Sequence, residues 1–294
     1  MRVAVTGAGG QLGAALVYEF RSAGHDVTGF PHRDLDVGDD AAVAAAMARV
    51  RPGLIVNAAA RTNVDAAEDH PIETLSANAF GVRALAKAAQ AYDATLVHYS
   101  TDFVFDGTSM DPYRETDTTN PRGVYATSKL LGEMFAADAP RAYVLRVESL
   151  FGGVPDGPPA RGTVASIVDA LKRGDAPRVF VDRTVSPTYA IDAARATRQL
   201  VETRSPAGLY HCVNSGRCTW FEFAQELALQ MGVPARLTPI SMKDVVLRVP
   251  RPQFCALSNE KLRAAGIEMP TWQDALGRFV SGLATGERVS TLRR

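Results

Sequence analysis

Cysteine is scarce in this sequence, and neither sign of charge dominates. The 294 residues hold three cysteines, Cys212, Cys218 and Cys255, an odd number with no CxxC spacing. A disulfide framework or a zinc site is therefore not expected, and reduced thiols of a cytoplasmic protein are. Lys+Arg and Asp+Glu both number 32, and no basic run exceeds two residues, so no nucleic-acid surface is expected. No apolar run approaches 18 residues, which excludes a helical membrane span. The opening MRVAVTGAGG lacks the charged start and long apolar stretch of a signal peptide. The five histidines are scattered, without metal-ligand spacing, so no metal is expected.

What remains is an ordinary globular composition, 46% hydrophobic and 22% charged, in a chain long enough to bury a substantial core. Short β-branched runs alternate with Ala-rich stretches of helical periodicity through the first half. Strands are predicted at Arg2–Thr6, Asp26–Phe30, Leu54–Asn57, Thr95–Ser100 and Ala142–Arg146. Helices are predicted at Gln11–Ala23, Asp39–Arg51, Ser76–Tyr92 and Val124–Ala137. This alternation implies βαβ crossovers and an α/β fold, a doubly wound parallel sheet of Rossmann type. After Phe151 the rhythm breaks into a Gly- and Pro-rich loop over Gly152–Gly162. Two later helices open on capping boxes, Thr219–Glu222 and Thr271–Asp274. The expected organisation is a dinucleotide-binding domain at 1–150 with a returning segment near 177–204. A smaller mixed α/β lobe for substrate is expected from 151–176 and 205–294. The stretch after Gly286 shows no pattern and reads as a disordered tail.

Between the first strand and the first helix lies Gly7-Ala-Gly-Gly10-Gln11-Leu12-Gly13. Glycine lets the backbone turn sharply and approach a pyrophosphate, which the helix-start N–H groups then hold. The second strand ends Gly29-Phe30-Pro31-His32-Arg33, with no carboxylate to meet a ribose 2′-OH. Arg33 suits a 2′-phosphate instead, so NADPH is expected, with NADH as the alternative.

Tyr125-Ala-Thr-Ser-Lys129 puts a tyrosine and a lysine one helical turn apart on one face. There the ammonium would lower the tyrosine's pKa and bond the nicotinamide ribose, making the tyrosine a proton donor. The fourth strand ends in Ser100-Thr101, whose hydroxyls could bond the same carbonyl oxygen.

In this order, the motifs resemble those of the extended short-chain dehydrogenases. Over nearly the whole length the chain is similar to the dTDP-4-dehydrorhamnose reductase family. The matching strings are Val56-Asn-Ala-Ala-Ala60, Thr62-Asn-Val-Asp65-Ala-Ala-Glu68, His98-Tyr-Ser-Thr-Asp-Phe-Val-Phe105, Tyr125–Lys129, Gly208-Leu-Tyr-His211 and Arg251-Pro252. The resemblance implies a triad of Thr101, Tyr125 and Lys129. It places Asp36 and Val37 beside the adenine, and Ala58, Ala59 and Ala60 along the cofactor groove. It sets Thr62, Val64, Asp102 and Phe103 near the sugar, and Arg251 on the sugar diphosphate. A homodimer is implied as well.

The implied activity is NADPH-dependent reduction of a nucleotide-linked 4-keto-6-deoxy sugar in deoxysugar biosynthesis. The alternatives are a sugar-nucleotide epimerase, or a non-catalytic NADP-binding subunit of the methionine adenosyltransferase type. The chain departs from the family at Phe103, where a tyrosine is common. Arg146-Val-Glu-Ser-Leu150-Phe151 lacks the family's tryptophan, and Thr163-Val164 replaces an Asn-Phe pair. All three departures concern the substrate side. Asp65 with Glu68, and Glu115 with Asp117, read as solvated charges. His98 reads as a core histidine, and Trp220 and Trp272 as core anchors.

Overall fold

The computed structural model describes residues 1–154, 157–159 and 162–291. Six parallel strands form its central sheet: β1 (Arg2–Thr6), β2 (Asp26–Phe30), β3 (Leu54–Asn57), β4 (Thr95–Thr101), β5 (Arg141–Val147) and β10 (Gly208–His211). Their spatial order is β10-β5-β4-β3-β1-β2. Val3, Ala4, Val5 and Leu54–Val56 are wholly buried, as strands covered on both faces must be.

One face carries α1 (Gln11–Ser22) and α8 (Ala190–Glu202), which pack on each other and enclose Leu16, Phe20, Tyr143 and Leu200. The other carries α2 (Asp40–Val50), α5 (Gly81–Tyr92) and α6 (Gly123–Ala136), around Met47, Leu85 and Leu96. The strand order reverses between β1 and β3. The crevice beyond their carboxyl ends is where such a sheet receives a ligand.

Two short helices, α3 (Val64–Asp69) and α4 (Pro71–Leu75), lead from β3 towards α5. The single long helix predicted over Ser76–Tyr92 is interrupted: Ser76–Phe80 is a π turn, and only from Gly81 does α-helix follow.

A third apolar cluster gathers Phe151, Trp220, Phe223, Trp272, Leu276 and Phe279. Its elements include α7 (Thr163–Arg173), α9 (Trp220–Met231) and α11 (Trp272–Thr291), with the short strands β6 (Leu150–Phe151), β7 (Arg178–Phe180), β8 (Thr184–Val185) and β9 (Thr188–Tyr189). Both tryptophans are buried here as anchors. The Thr219 capping box is complete. At Thr271 only half of the predicted box forms: Asp274 donates its N–H to the Thr271 hydroxyl, while its carboxylate pairs with Arg278. β10 joins the main sheet beside β5, so the chain re-enters that sheet after residue 205.

The loop expected over Gly152–Gly162 lies partly outside the described residues, and those described there form neither strand nor helix. α11 continues to Thr291, where the sequence suggested a disordered tail, and 292–294 lie outside the described residues. No described helix is long and apolar enough to cross a membrane.

Candidate active site

Beyond the carboxyl ends of β1 and β3 opens a cavity of about 1040 Å³. Gly7 makes the turn into it with φ +68°, and a Cβ there would stand 2.6 Å from the Ala58 backbone. A Cβ on Gly13 would fall 2.1 Å from the Gly7 carbonyl, so α1 can reach the turn only through glycine. Gly10 caps α1 without any side-chain hydrogen bond, leaving the helix-start N–H groups for an anion. Gly7, Gly10, Ala58, Ala59, Ala60 and Thr62 line the cavity. Arg33, Asp36 and Val37 line its far end. Gln11, Leu12 and Gly13 stand behind the turn: Leu12 is buried in the core and Gly13 packs on Gly7.

Arg33 is freely exposed, its guanidinium 3.6 Å from Asp34. A second guanidinium that the sequence reading missed, Arg61, lines the same cavity. Asn78 holds the Arg61 backbone: Asn78 Oδ1 accepts from the Arg61 main-chain N–H at 2.8 Å, and its amide donates to the Arg61 carbonyl at 3.0 Å. The same amide reaches the Ser128 hydroxyl on α6 at 3.0 Å. Asn78 lies in the π turn, a distortion that ordinary helical periodicity does not announce. The backbone cradle, the volume and the two cations fit a dinucleotide bearing an extra phosphate.

Thr101 closes β4, and α6 brings Tyr125 and Lys129 against it; all three are buried. The start of α6 is fixed by Glu68, whose carboxylate accepts from the Val124 N–H at 2.7 Å. Glu68 is thus engaged rather than solvated. So is Asp65, which pairs with Arg251 at 2.8 Å. In the other pair, Glu115 accepts from the His211 N–H and Asp117 from the Arg114 N–H. Inside α6, Glu133 accepts both arms of Arg146 at 2.8 Å and the Ser100 hydroxyl at 2.5 Å. This buried pair ties the helix to β5 and β4. His98 is wholly buried, with Nδ1 bonded to the Asn57 amide.

Burial pushes Tyr125 up to about 12; the Thr101 hydroxyl opposes the shift and the Asp102 charge adds to it. The expectation that Lys129 lowers this tyrosine is therefore corrected. Lys129 donates instead to the Tyr99 carbonyl at 2.5 Å, and burial brings it down to about 8 against the pull of Glu133. A tyrosine so placed is fully protonated at neutral pH, the state a proton donor needs.

The residues expected near a sugar adjoin Thr101 and Tyr125. Phe103 packs its ring edgewise on Tyr125 at 5.7 Å, and Arg183 lies 5.7 Å over the Phe103 ring. A smaller cavity of about 170 Å³ joins Asp102 and Phe103 to Leu150, Thr163, Arg183 and Trp220. Val64 is half-buried at the start of α3, and Thr62 precedes it at the mouth of the larger cavity. Arg251 keeps one arm on Asp65 and one on the Val249 carbonyl.

Known proteins share this architecture. The sequence profile of the RmlD substrate binding domain matches residues 1–285. A dTDP-4-dehydrorhamnose reductase of Streptomyces griseus is 36% identical over 92% of this chain and 90% of its own length. A spore coat polysaccharide biosynthesis protein of Bacillus subtilis is 31% identical, covering 95% of this chain and 96% of its own. Among solved structures, the dTDP-4-dehydrorhamnose reductase of Bacillus anthracis in complex with NADP superposes with a TM-score of 0.88. It is 32% identical, covering 95% of this chain and 98% of that one. On the profile match and on relatives above 30% identity over nearly the whole chain, this protein belongs to the RmlD substrate binding domain family.

Proposed function

We propose that the protein is an NADPH-dependent reductase of a nucleotide-linked 4-keto-6-deoxy sugar. The observation that carries this reading is the buried meeting of Thr101, Tyr125 and Lys129 beside a glycine-cradled cavity lined by Arg33 and Arg61. Relatives named as dTDP-4-dehydrorhamnose reductases, one of them bound to NADP, support both the reaction and the cofactor.

NADPH supplies a hydride to the keto carbon when bound. Gly7, Gly10 and the N–H groups of Gln11 and Leu12 would hold its pyrophosphate, and Arg33 and Arg61 its 2′-phosphate. Asp36 and Val37 would bound the adenine. Lys129, ionised below about pH 8, would turn from the Tyr99 carbonyl towards the ribose hydroxyls. Tyr125 gives its phenolic proton to the oxygen that becomes the new hydroxyl. Thr101 donates a hydrogen bond to the same oxygen and stabilises the developing alkoxide. Thr62, Val64, Asp102 and Phe103 would surround the sugar, and Arg251 would share its charge between Asp65 and the diphosphate. The three cysteines are unpaired and buried, which suits a cytoplasmic enzyme.

The test is NADPH consumption with 4-keto-6-deoxy sugars carried on dTDP, GDP, UDP and CDP. Turnover with one of them is expected and identifies the base. Tight NADPH binding with no turnover on any of the four would overturn the substrate assignment.

A further inference from the structure

Next to Thr101, outside the lining of the larger cavity, the buried Asp102, Glu148 and Cys255 gather with the half-buried Arg183. Asp102 follows Thr101, and Glu148 follows β5. Arg183 precedes β8, and Cys255 comes from the connection before α10 (Glu260–Ala264). One ligand atom each of Asp102, Glu148 and Cys255 lies within 4.8 Å of the other two. Such a trio could in principle hold a cation, but the Arg183 guanidinium occupies the same space, 3.8 Å from the Cys255 sulfur, and opposes one.

The hydrogen bonds in this cluster leave particular atoms unused. Glu148 accepts from the Ser186 N–H at 2.6 Å through one oxygen. Its other oxygen, Asp102 Oδ2 and Arg183 Nε are buried without partners. Asp102 and Glu148 are only 4% and 3% exposed, so solvent does not satisfy them. Two ionised carboxylates beside one guanidinium leave an excess negative charge in the interior. One proton on the pair brings the cluster to neutrality.

The cluster reaches the reaction through Thr101. The Thr101 hydroxyl has a single proton, and here it is donated to Asp102 Oδ1 at 3.0 Å. Its oxygen accepts from the Phe103 N–H at 3.2 Å. While Asp102 is ionised it holds that proton, and none is left to polarise a substrate carbonyl. Once protonated, Asp102 becomes the donor, Thr101 accepts from it, and the threonine proton is free for the reacting oxygen.

We propose that Asp102 and Glu148 share one proton, and that its presence sets whether Thr101 can donate to the substrate. The inference rests on the reductase reading above. Asp102, Glu148 and Arg183 act through Thr101, as positioning residues. Burial raises both carboxyls, Asp102 to about 6, and the Asp102 charge raises Glu148 further. The groups facing the pair are Arg183, Cys255, Cys218 and Tyr125. Among them, the Arg183 charge and the Cys255 thiol draw both carboxyls back down.

The two neighbours of Asp102 therefore act in opposite directions, which gives the test its sign. Glu148→Gln removes the partner that shares the proton, and Arg183→Gln removes the cation that expels it. The experiment follows kcat/KM against pH for the wild type and both variants. Alongside it, an infrared titration of the same proteins with bound NADPH follows the carbonyl stretch of a buried carboxylic acid. Glu148→Gln should lose that band at neutral pH and move the alkaline fall in kcat/KM to lower pH, with at least a tenfold loss at pH 7.5. Arg183→Gln should keep the band to higher pH and move the fall the other way. Limbs that stay put, or move together, would overturn the proposal, as would a wild type without a protonated carboxyl at neutral pH. The infrared titration needs no turnover, so it decides the proton sharing even if the sugar substrate has been misassigned.

Discussion

In the proposed reaction Thr101, Tyr125 and Lys129 divide the chemistry, and their burial sets what each can do. Tyr125, held near 12, stays protonated across the working range and so acts as donor rather than base. Replacing it by phenylalanine keeps the packing against Phe103 and removes only the proton. Turnover should fall by about 10²–10⁴-fold with NADPH affinity unchanged, as steady-state rates beside fluorescence titration would measure. Lys129, lowered to about 8, loses its charge within the accessible range. If the ammonium holds the ribose, NADPH affinity should be level below about pH 8 and weaken above it; an affinity that strengthens there would contradict the role. The spacing of Tyr125 and Lys129 was legible in the sequence because i and i+4 share a helical face. Their electrostatics were not. The direction of a shift depends on what surrounds the pair, and here burial outweighs the expected influence of Lys129 on the tyrosine.

At the scale of elements, the helix that carries Tyr125 and Lys129 is held by contacts that no sequence pattern announced. Glu133 joins α6 to β5 through Arg146 and to β4 through Ser100, in a place that is almost dry. Glu133→Ala would leave the Arg146 charge buried and unpaired. A loss of about 3–5 kcal/mol is expected in chemical unfolding; a loss below 1 kcal/mol would mean that water reaches the arginine. Asn78 has the corresponding task at the π turn, where it bonds the Arg61 backbone and the Ser128 hydroxyl at once. Asn78→Ala should weaken NADPH binding more than it lowers the melting temperature. The strands and first helices were readable from periodicity and glycine position. The π turn was not, because five residues of altered winding fall inside an otherwise regular apolar pattern. Glu68 and Asp65 were misread for a related reason: their partners, Val124 and Arg251, are far away in sequence.

The whole molecule sets a reversed-order parallel sheet beside a third apolar cluster, with the proposed reacting groups at the carboxyl edge of the sheet. The doubly wound fold was legible because each βαβ unit is local. The later half was less so. Most of its strands are two or three residues long and pair with segments far off in sequence, as β8 does with the strand at Cys218–Thr219. A cofactor that binds only the folded state should stabilise the entire chain: NADPH at a hundred times its dissociation constant should add about 2.7 kcal/mol. NADH should do less at equal concentration, and Arg33→Ala with Arg61→Ala should erase the difference. The most direct measurement of the central claim is the fate of the hydride. With NADPH deuterated at nicotinamide C4 and the nucleotide-linked keto sugar, the product should carry deuterium on the sugar's C4, and Tyr125→Phe should abolish most of the transfer. Product without deuterium at that carbon, or equal transfer by the variant, would contradict a reduction driven from Tyr125.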